Sequence, residues 1–357
     1  MSNTALQPGV VVIGRNEGER LRRCLASIVA PTGSPPRTIV YVDSGSIDTS
    51  IDLARSRGVE VVDLDMSRPF SAARGRNAGL ARLLELAPDT TYVQFVDGDC
   101  EVHPSWLATA TAALASEPQL AAVCGRLRER HPTRSLYNKL CDLEWDAPTG
   151  LVRSCGGNAM YRLAPLLAVG RFNDAVIAGE EPELCYRLRQ AGHTIRRLSD
   201  DMALHDADMH TFRQWWRRAA RGGYAMAHGA ALHGHAPERF NIRRIRSVLF
   251  WAAAIPLATM LWPILCFALI RPFTPNLVWV FAAFAGAVIP AQYLTLLARV
   301  AALHARQGRD TFTAFTVALF TILAKFAELT GLLRFWLTRP TKSSAAAPNF
   351  DKRPAAV

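Results

Sequence analysis

What the 357-residue sequence lacks is informative first: it has no CxxC pair, no GxGxxG, no GxxxxGK[ST] and no GxSxG. Without CxxC spacing, its seven cysteines suggest neither a zinc ribbon nor a disulfide framework, and buried thiols in a reducing cytosol account for them. Without the glycine fingerprints, dinucleotide-binding and P-loop readings lose their phosphate cradle, and an esterase loses its nucleophile elbow. Residues 1–9 show no basic stretch leading into an apolar one, so no secretory leader is expected. Acidic residues are scarce in one region alone. Residues 236–357 hold 14 Lys and Arg against 4 Asp and Glu, whereas residues 1–235 hold 27 and 26. A nucleic-acid binder spreads its basic face over a folded domain. Here the excess flanks apolar runs, which indicates membrane lipid as a partner and no nucleic acid.

Two stretches, residues 247–270 and 277–298, carry no charge at all. As helices rising 1.5 Å per residue, each reaches roughly 33 Å or more, enough for a hydrocarbon core of ~30 Å. Pro256, Pro263 and Pro290 are tolerated inside such spans. The short link 271–276 makes the pair a helical hairpin. A third segment, 311–337, is uncharged only to residue 324, before Lys325 and Glu328; an interfacial and a spanning helix are both open. Arg239, Arg243, Arg244 and Arg246 precede the first span, and Arg299, Arg306 and Arg309 follow the second. By the positive-inside rule both flanks face the cytosol. The expected layout is a flexible N-terminus (1–9), a cytosolic domain (10–235), a region in the cytoplasmic (inner) membrane (236–340), and a disordered tail (341–357).

Within 10–235, short β-branched runs at 9–13, 38–42, 59–62 and 92–96 alternate with helical patterns at 17–29, 48–57 and 72–86. This alternation predicts βαβ units, an α/β fold and a mostly parallel sheet. Ligands of such sheets sit at the carboxyl ends of the strands. The polar residues there are Arg15-Asn16-Glu17, Asp43-Ser44-Gly45-Ser46, and Asp97-Gly98-Asp99.

Asp97 and Asp99 end an apolar strand one residue apart, and carboxylate oxygens suit Mg²⁺ or Mn²⁺, which clamp phosphates. Asp and Gly also favour plain solvated turns. Asp43 sits where a base or ribose hydroxyl needs an acceptor, while Ser46 and Asp48 are explained equally well as helix caps. Arg74, Arg76 and Asn77 read either as a solvated helix face or as contacts to a diphosphate. Glu180 and Glu181 open a helix, where the dipole favours acids and where a general base can also stand; about 100° apart, they should not both face one acceptor. His205 and the run Gln214-Trp215-Trp216-Arg217-Arg218 precede the apolar region, and the latter also suits an interfacial anchor. His228, His233 and His235 lack a fourth partner for zinc.

Taken in order, these motifs resemble family 2 glycosyltransferases of the GT-A nucleotide-sugar-binding fold, over residues 10–221. VVVIGRNEGERLRRCLASI resembles the opening strand and helix, and YVDSGSIDTS the second-strand turn. FSAARGRNAGL and FVDGDC resemble the arginine segment and DxD, CGGNAMYR the glycine-rich acceptor-side strand, and GEEPELCYRLRQAG the acidic base motif. The resemblance implies a nucleotide diphosphate sugar donor bound by Arg15, Glu17, Asp43, Arg74, Asp97, Gly157, Gln214 and Arg217. It implies a divalent cation (Mg²⁺ or Mn²⁺) held by Asp99 with Asp97 and His205, and a catalytic base at Glu181 beside Glu180. Transfer to a lipid-linked or saccharide acceptor, an envelope polysaccharide precursor, would invert the anomeric carbon. Two departures stand out: the usual Glu-Asp base pair is Glu180-Glu181, and QxxRW of processive members is Gln214-x-x-Arg217-Arg218. A nucleotidyltransferase and an inactive nucleotide-sugar-binding module are the alternatives.

Overall fold

A computed structural model describes residues 7–29, 35–235, 237–270, 272, 274 and 277–338. Residues 1–6 of the expected flexible start (1–9), the expected disordered tail (341–357) and most of the hairpin link lie outside the described residues, while Gly9 already begins the first strand. The chain forms two units, the first ending at Thr211 and the second starting at Phe212.

The first unit is a nine-stranded sheet flanked by helices. The elements in chain order are β1 (Gly9–Gly14), α1 (Glu19–Val29), β2 (Thr38–Asp43), α2 (Ser50–Ser56), β3 (Glu60–Asp63), α3 (Ala72–Leu86), β4 (Tyr92–Asp97) and β5 (Cys100–Val102). There follow α4 (Trp106–Ser116), β6 (Leu120–Glu129), α5 (Leu136–Trp145), β7 (Gly150–Leu151), β8 (Ala159–Arg162), α6 (Leu163–Ala168), α7 (Glu180–Gln190) and β9 (Thr194–His205). The sheet order is β3-β2-β1-β4-β8-β6-β9-β5, with β7 beside β9. The expected parallel half is β3-β2-β1-β4. Its strands are covered on both faces, which is why Val10, Val11, Val12, Val40 and Val42 form continuous β-branched runs with no exposed surface. Beyond it the sheet is mixed: β8 runs antiparallel to both β4 and β6, and β9 is parallel to β6 but antiparallel to β5.

The chain leaves β1 to one side through β2 and β3, then returns through α3 to β4 on the other side. The strand order therefore reverses between β1 and β4, and their carboxyl ends, Gly14 and Asp97, mark the position where sheets of this kind bind ligands. Gly98 N–H donates to Ile13 O at 2.8 Å and fixes the two ends together.

The second unit is helical: α8 (Phe212–His233), α9 (Ile242–Leu249), α10 (Ile255–Leu269), α11 (Val278–Arg306) and α12 (Thr311–Leu337). A π-turn at Phe250–Ala254 joins α9 to α10 just ahead of Pro256, which supplies no N–H to the ladder. Among the described residues, three helices are long and apolar enough to cross a membrane: Ile242–Leu269, Val278–Arg306 and Thr311–Leu337. The third runs unbroken through Lys325 and Glu328, whose charges pair at 3.1 Å one turn apart. Large side chains such as Met260, Phe284 and Leu294 stay exposed on the first two, as a lipid-facing surface requires.

The helix α8, read from sequence as the end of the cytosolic domain, belongs to the second unit and packs along α12. Trp215 meets Phe320 edge-on at 4.8 Å, and Tyr224 meets Phe335 at 5.3 Å. At the crossing, a Cβ on Gly223 would collide with the Glu328 carbonyl, and one on Gly331 with the Ala220 carbonyl. The two backbones touch because neither glycine has a side chain.

Candidate active site

Three groups of side chains line the carboxyl ends of the strands. The first surrounds Asp43, at the end of β2. Its carboxylate accepts from Tyr41 Oη (2.8 Å), Ser46 Oγ (2.6 Å) and Ser46 N (2.7 Å), and it is 1% exposed. Ser46 in turn accepts from Asn16 N at 2.8 Å, and Asn16 Oδ1 accepts from Ile47 N at 2.8 Å. The loops after β1 and β2 are thereby joined into one wall. Glu17 lies on the same wall, 12% exposed and paired with Arg20 at 3.1 Å. Burial, with the nearby Asp43 carboxylate, raises the Tyr41 hydroxyl well above its usual value and keeps it a donor.

The second group centres on Arg76, in the first turns of α3. Its side chain is 3% exposed and forks three ways: Nη2 to Asp97 Oδ1 (2.9 Å), and Nη1 to Glu180 Oε1 (2.7 Å) and Glu181 Oε1 (3.2 Å). The acidic pair thus converges on one cation instead of diverging, because the guanidinium reaches both from below the start of α7. Burial opposes the charge on Arg76, yet Glu181, Asp97 and Glu180 together hold it firmly ionised. Asn158 adds a second clamp on Asp97: its Oδ1 accepts from Asp97 N (3.1 Å) and its Nδ2 faces Oδ2 (3.5 Å). Gly157 explains the closeness, since a Cβ there would collide with Arg76 Nη2 and lie 2.7 Å from Asp97 Oδ2.

Three carboxylates against one guanidinium leave a net negative charge in a poorly hydrated place. Glu181 absorbs the imbalance: burial first, then the Glu180 charge, pushes its carboxyl up to about 7, although Arg76 pulls the other way. Such a group exchanges a proton near neutral pH. Glu183, the third acid of that helix turn, is instead tied to Arg187 at 2.8 Å and is structural.

The third group is Asp99 with His205. Cys100 and His205 are register partners of β5 and β9, which sets His205 Nε2 3.4 Å from Asp99 Oδ1. The side chains are 8% and 12% exposed, and Trp145 packs edge-on against the imidazole at 4.6 Å. Donor atoms of Asp99, Cys100 and His205 lie within 4.8 Å of one another, a set able to hold a metal ion. Burial, reinforced by Asp99 and Asp97, raises the Cys100 thiol well above its ordinary value, and Asp99 and His205 bring a carboxylate and an imidazole to the set. Carboxylate and imidazole donors together suit a divalent cation.

Residues 9–164 match the family model described as Glycosyl transferase family 2. Over this stretch the chain is similar to family 2 glycosyltransferases. Over 239 residues the chain is 26% identical to a pre-mycofactocin glycosyltransferase of Mycobacterium tuberculosis, covering 63% of this chain and 47% of that one. It is 24% identical over 205 residues to an O-antigen chain rhamnosyltransferase of Salmonella typhimurium, covering 53% of this chain and 63% of that one. The chain thus spans about half the length of the mycobacterial relative. Among solved structures, a mannosyltransferase from Pyrobaculum calidifontis, in complex with GDP-Man and Mn²⁺, shares the fold with a TM-score of 0.54 at 19% identity. That likeness covers 94% of this chain and 90% of the other.

Some residues singled out from sequence make other contacts than expected. Arg74, read as a diphosphate contact, donates to Arg68 O (2.9 Å), Pro69 O (2.8 Å) and Asp65 O (2.7 Å), and so shapes the loop ahead of α3. Asp97, expected at the metal, is held by Arg76 and Asn158 and is absent from the Asp99–Cys100–His205 set. Arg15 is half-buried just past the end of β1. Gln214 and Arg217 are on the first turns of α8, in the second unit. Asn158 has no role assigned from sequence, and Arg76, read with Arg74 and Asn77 as a solvated face or a diphosphate contact, instead gathers the carboxylates. Both sit inside quoted motifs, RGRN and GGNA, but nothing in one sequence separates Arg76 from Arg74.

Proposed function

We propose that the protein is a membrane-anchored, metal-dependent, inverting glycosyltransferase. It transfers a sugar from a nucleotide diphosphate sugar to a hydroxyl of a lipid-linked or saccharide acceptor, a precursor of an envelope or exopolysaccharide. Its catalytic domain faces the cytosol from the inner membrane. The observation that carries this reading is Glu181: a carboxyl poised at about 7, beside Arg76 and Asp97, at the switch point of the sheet. The wall of Glu17, Asp43 and Arg15 receives the nucleoside. Glu181 takes the proton of the acceptor hydroxyl as its oxygen bonds to the anomeric carbon. The bond from that carbon to the diphosphate oxygen breaks on the opposite face, so configuration inverts and the nucleoside diphosphate leaves. Glu180 and Arg76 position Glu181. Asp99 and His205 would hold the cation, whose contribution when bound is to neutralise charge on the leaving diphosphate. The relatives named for rhamnosyl and mycofactocin glycosyl transfer support the reaction class, and the Pyrobaculum protein's GDP-Man and Mn²⁺ support the donor and the ion.

The test is a panel of nucleotide diphosphates with Mn²⁺ on the full chain, followed by transfer assays from the sugar nucleotide that binds. A ligand at 100 times its dissociation constant stabilises by about 2.7 kcal/mol, enough to rank the bases by thermal shift. Excess EDTA, or Asp99→Ala, should abolish transfer, and the product should carry the inverted anomeric configuration by NMR. Full activity in EDTA would overturn the metal assignment. Release of inorganic diphosphate from a nucleoside triphosphate would favour a nucleotidyltransferase, and nucleotide binding without transfer an inactive module.

A further inference from the structure

Three buried cysteines stand behind the Arg76 cluster: Cys124 on β6, Cys155 just before Gly157, and Cys185 on α7. Two of them are in contact. Cys155 Sγ lies 3.4 Å from Cys185 Sγ and 3.1 Å from the Tyr161 hydroxyl. Both partners belong to elements that build the site. Cys155 is two residues from Gly157, whose backbone is pressed against Arg76 and Asp97 with no room for a Cβ. Cys185 is four residues beyond Glu181, on the same face of α7.

We propose that Cys155 and Cys185 are a site of reversible oxidative modification, forming a disulfide under peroxide that ties the Gly157 loop to the helix of Glu181 and slows sugar transfer. The modification stands on the thiol contact alone; its effect on transfer rests on the function proposed above. Cys155 is the first nucleophile, because it is the more exposed of the two, at 6% against 0%. The hydrogen bond from Cys185, against the cost of burial and aided by Tyr161, also holds its thiol below the ordinary value. Its sulfur attacks one peroxide oxygen, the O–O bond breaks, and a sulfenic acid forms with loss of one water. The Cys185 sulfur then displaces the sulfenic hydroxyl as a second water, so two thiols and one hydrogen peroxide give one disulfide and two waters. To bond, the sulfurs must approach by more than an ångström from their present contact. Since Gly157 has no slack, that motion is passed to Arg76 and Glu181. A misplacement of that size at a catalytic group lowers turnover by about 10²-fold.

The full chain in detergent is treated with hydrogen peroxide and alkylated. It is then digested with trypsin without reduction and read by mass spectrometry alongside a transfer assay. The expected species is peptide 154–162 linked to peptide 172–187, two hydrogens lighter than their sum, with transfer reduced and restored by dithiothreitol. Cys185→Ala should keep basal transfer and lose the peroxide response. No linked peptide, or a link from either peptide to the one holding Cys124, would overturn the site. A link that leaves transfer unchanged would overturn the switch. If the untreated protein transfers no sugar, the mass-spectrometric arm still decides the modification, and the failure belongs to the proposed function.

Discussion

At the end of β2, Asp43 meets only neutral donors, the Tyr41 and Ser46 hydroxyls and one backbone N–H, whereas at the end of β4 Asp97 shares a single guanidinium with Glu180 and Glu181. The two places are equivalent in the topology, each the carboxyl end of a parallel strand. They differ in charge accounting. The Asp43 network is complete within itself, so it fixes the shape of a wall. The Arg76 cluster has more acid than base, so it holds a proton ready and keeps a carboxylate available for work.

The sharpest way to break this contrast is to remove the cation. Arg76→Met leaves three carboxylates together without a partner, and destabilisation of about 3–5 kcal/mol is expected in thermal or denaturant unfolding, with transfer lost. Arg76→Lys keeps the charge but not the fork, and should recover only part of both. Next is the base itself. Glu181→Gln should bind nucleotide normally while transfer falls by ~10²–10⁴.

The same residue gives a pH signature. Transfer by the wild type should rise through about pH 7 as Glu181 ionises. For stability the sign is opposite. The folded carboxyl titrates at about 7 and the unfolded one near the ordinary glutamate value of 4.5, so between them the folded state binds more protons. Stability contributed by this group is therefore complete below the lower value and is lost as pH rises through the upper one. Glu181→Gln should gain stability relative to wild type between pH 5 and pH 8, a comparison made by melting both proteins across that range. Equal melting at every pH would mean that Glu181 is not held in its protonated form.

Smaller effects should come from the packing around each network. Gly157→Ala drives a methyl between Arg76 and Asp97, with an expected cost of ~1–3 kcal/mol and weakened transfer. Tyr41→Phe removes one of three donors to Asp43 and should cost about 1 kcal/mol, with little change in transfer. If Tyr41→Phe proved as damaging as Arg76→Met, the distinction between the two networks would fail.

Much of this was visible in the sequence. The β-branched runs located β1 to β4, because strands covered on both faces must be apolar throughout, and the acids at their ends located the candidate site. The mixed half was harder to see. β9, with the sequence TIRRLSDDMALH, carries charge along its length and shows no clean period, yet it delivers His205 to Asp99 through a register no local pattern encodes. The arginines illustrate a second limit. Arg74 and Arg76 are two residues apart, hence on opposite sides of a helix, at roughly 200° of rotation. One reaches the loop carbonyls and the other the carboxylates, and only the direction of α3 tells which. Likewise Lys325 and Glu328 interrupt an uncharged run on paper but cancel each other one turn apart in α12.

The contact of Gly223 with α12 and of Gly331 with α8 has a consequence for how the chain is made. Gly331 follows Gly223 by 108 residues, so at about 5–20 residues per second the ribosome needs roughly 5–20 s to supply the partner helix. Throughout that interval Trp215 and Tyr224 lack Phe320 and Phe335, the rings they meet on α12. A chain released after His233 would lack those partners permanently, and would be expected to be captured by chaperones or to aggregate. A fragment ending at Thr211 carries neither Trp215 nor Tyr224.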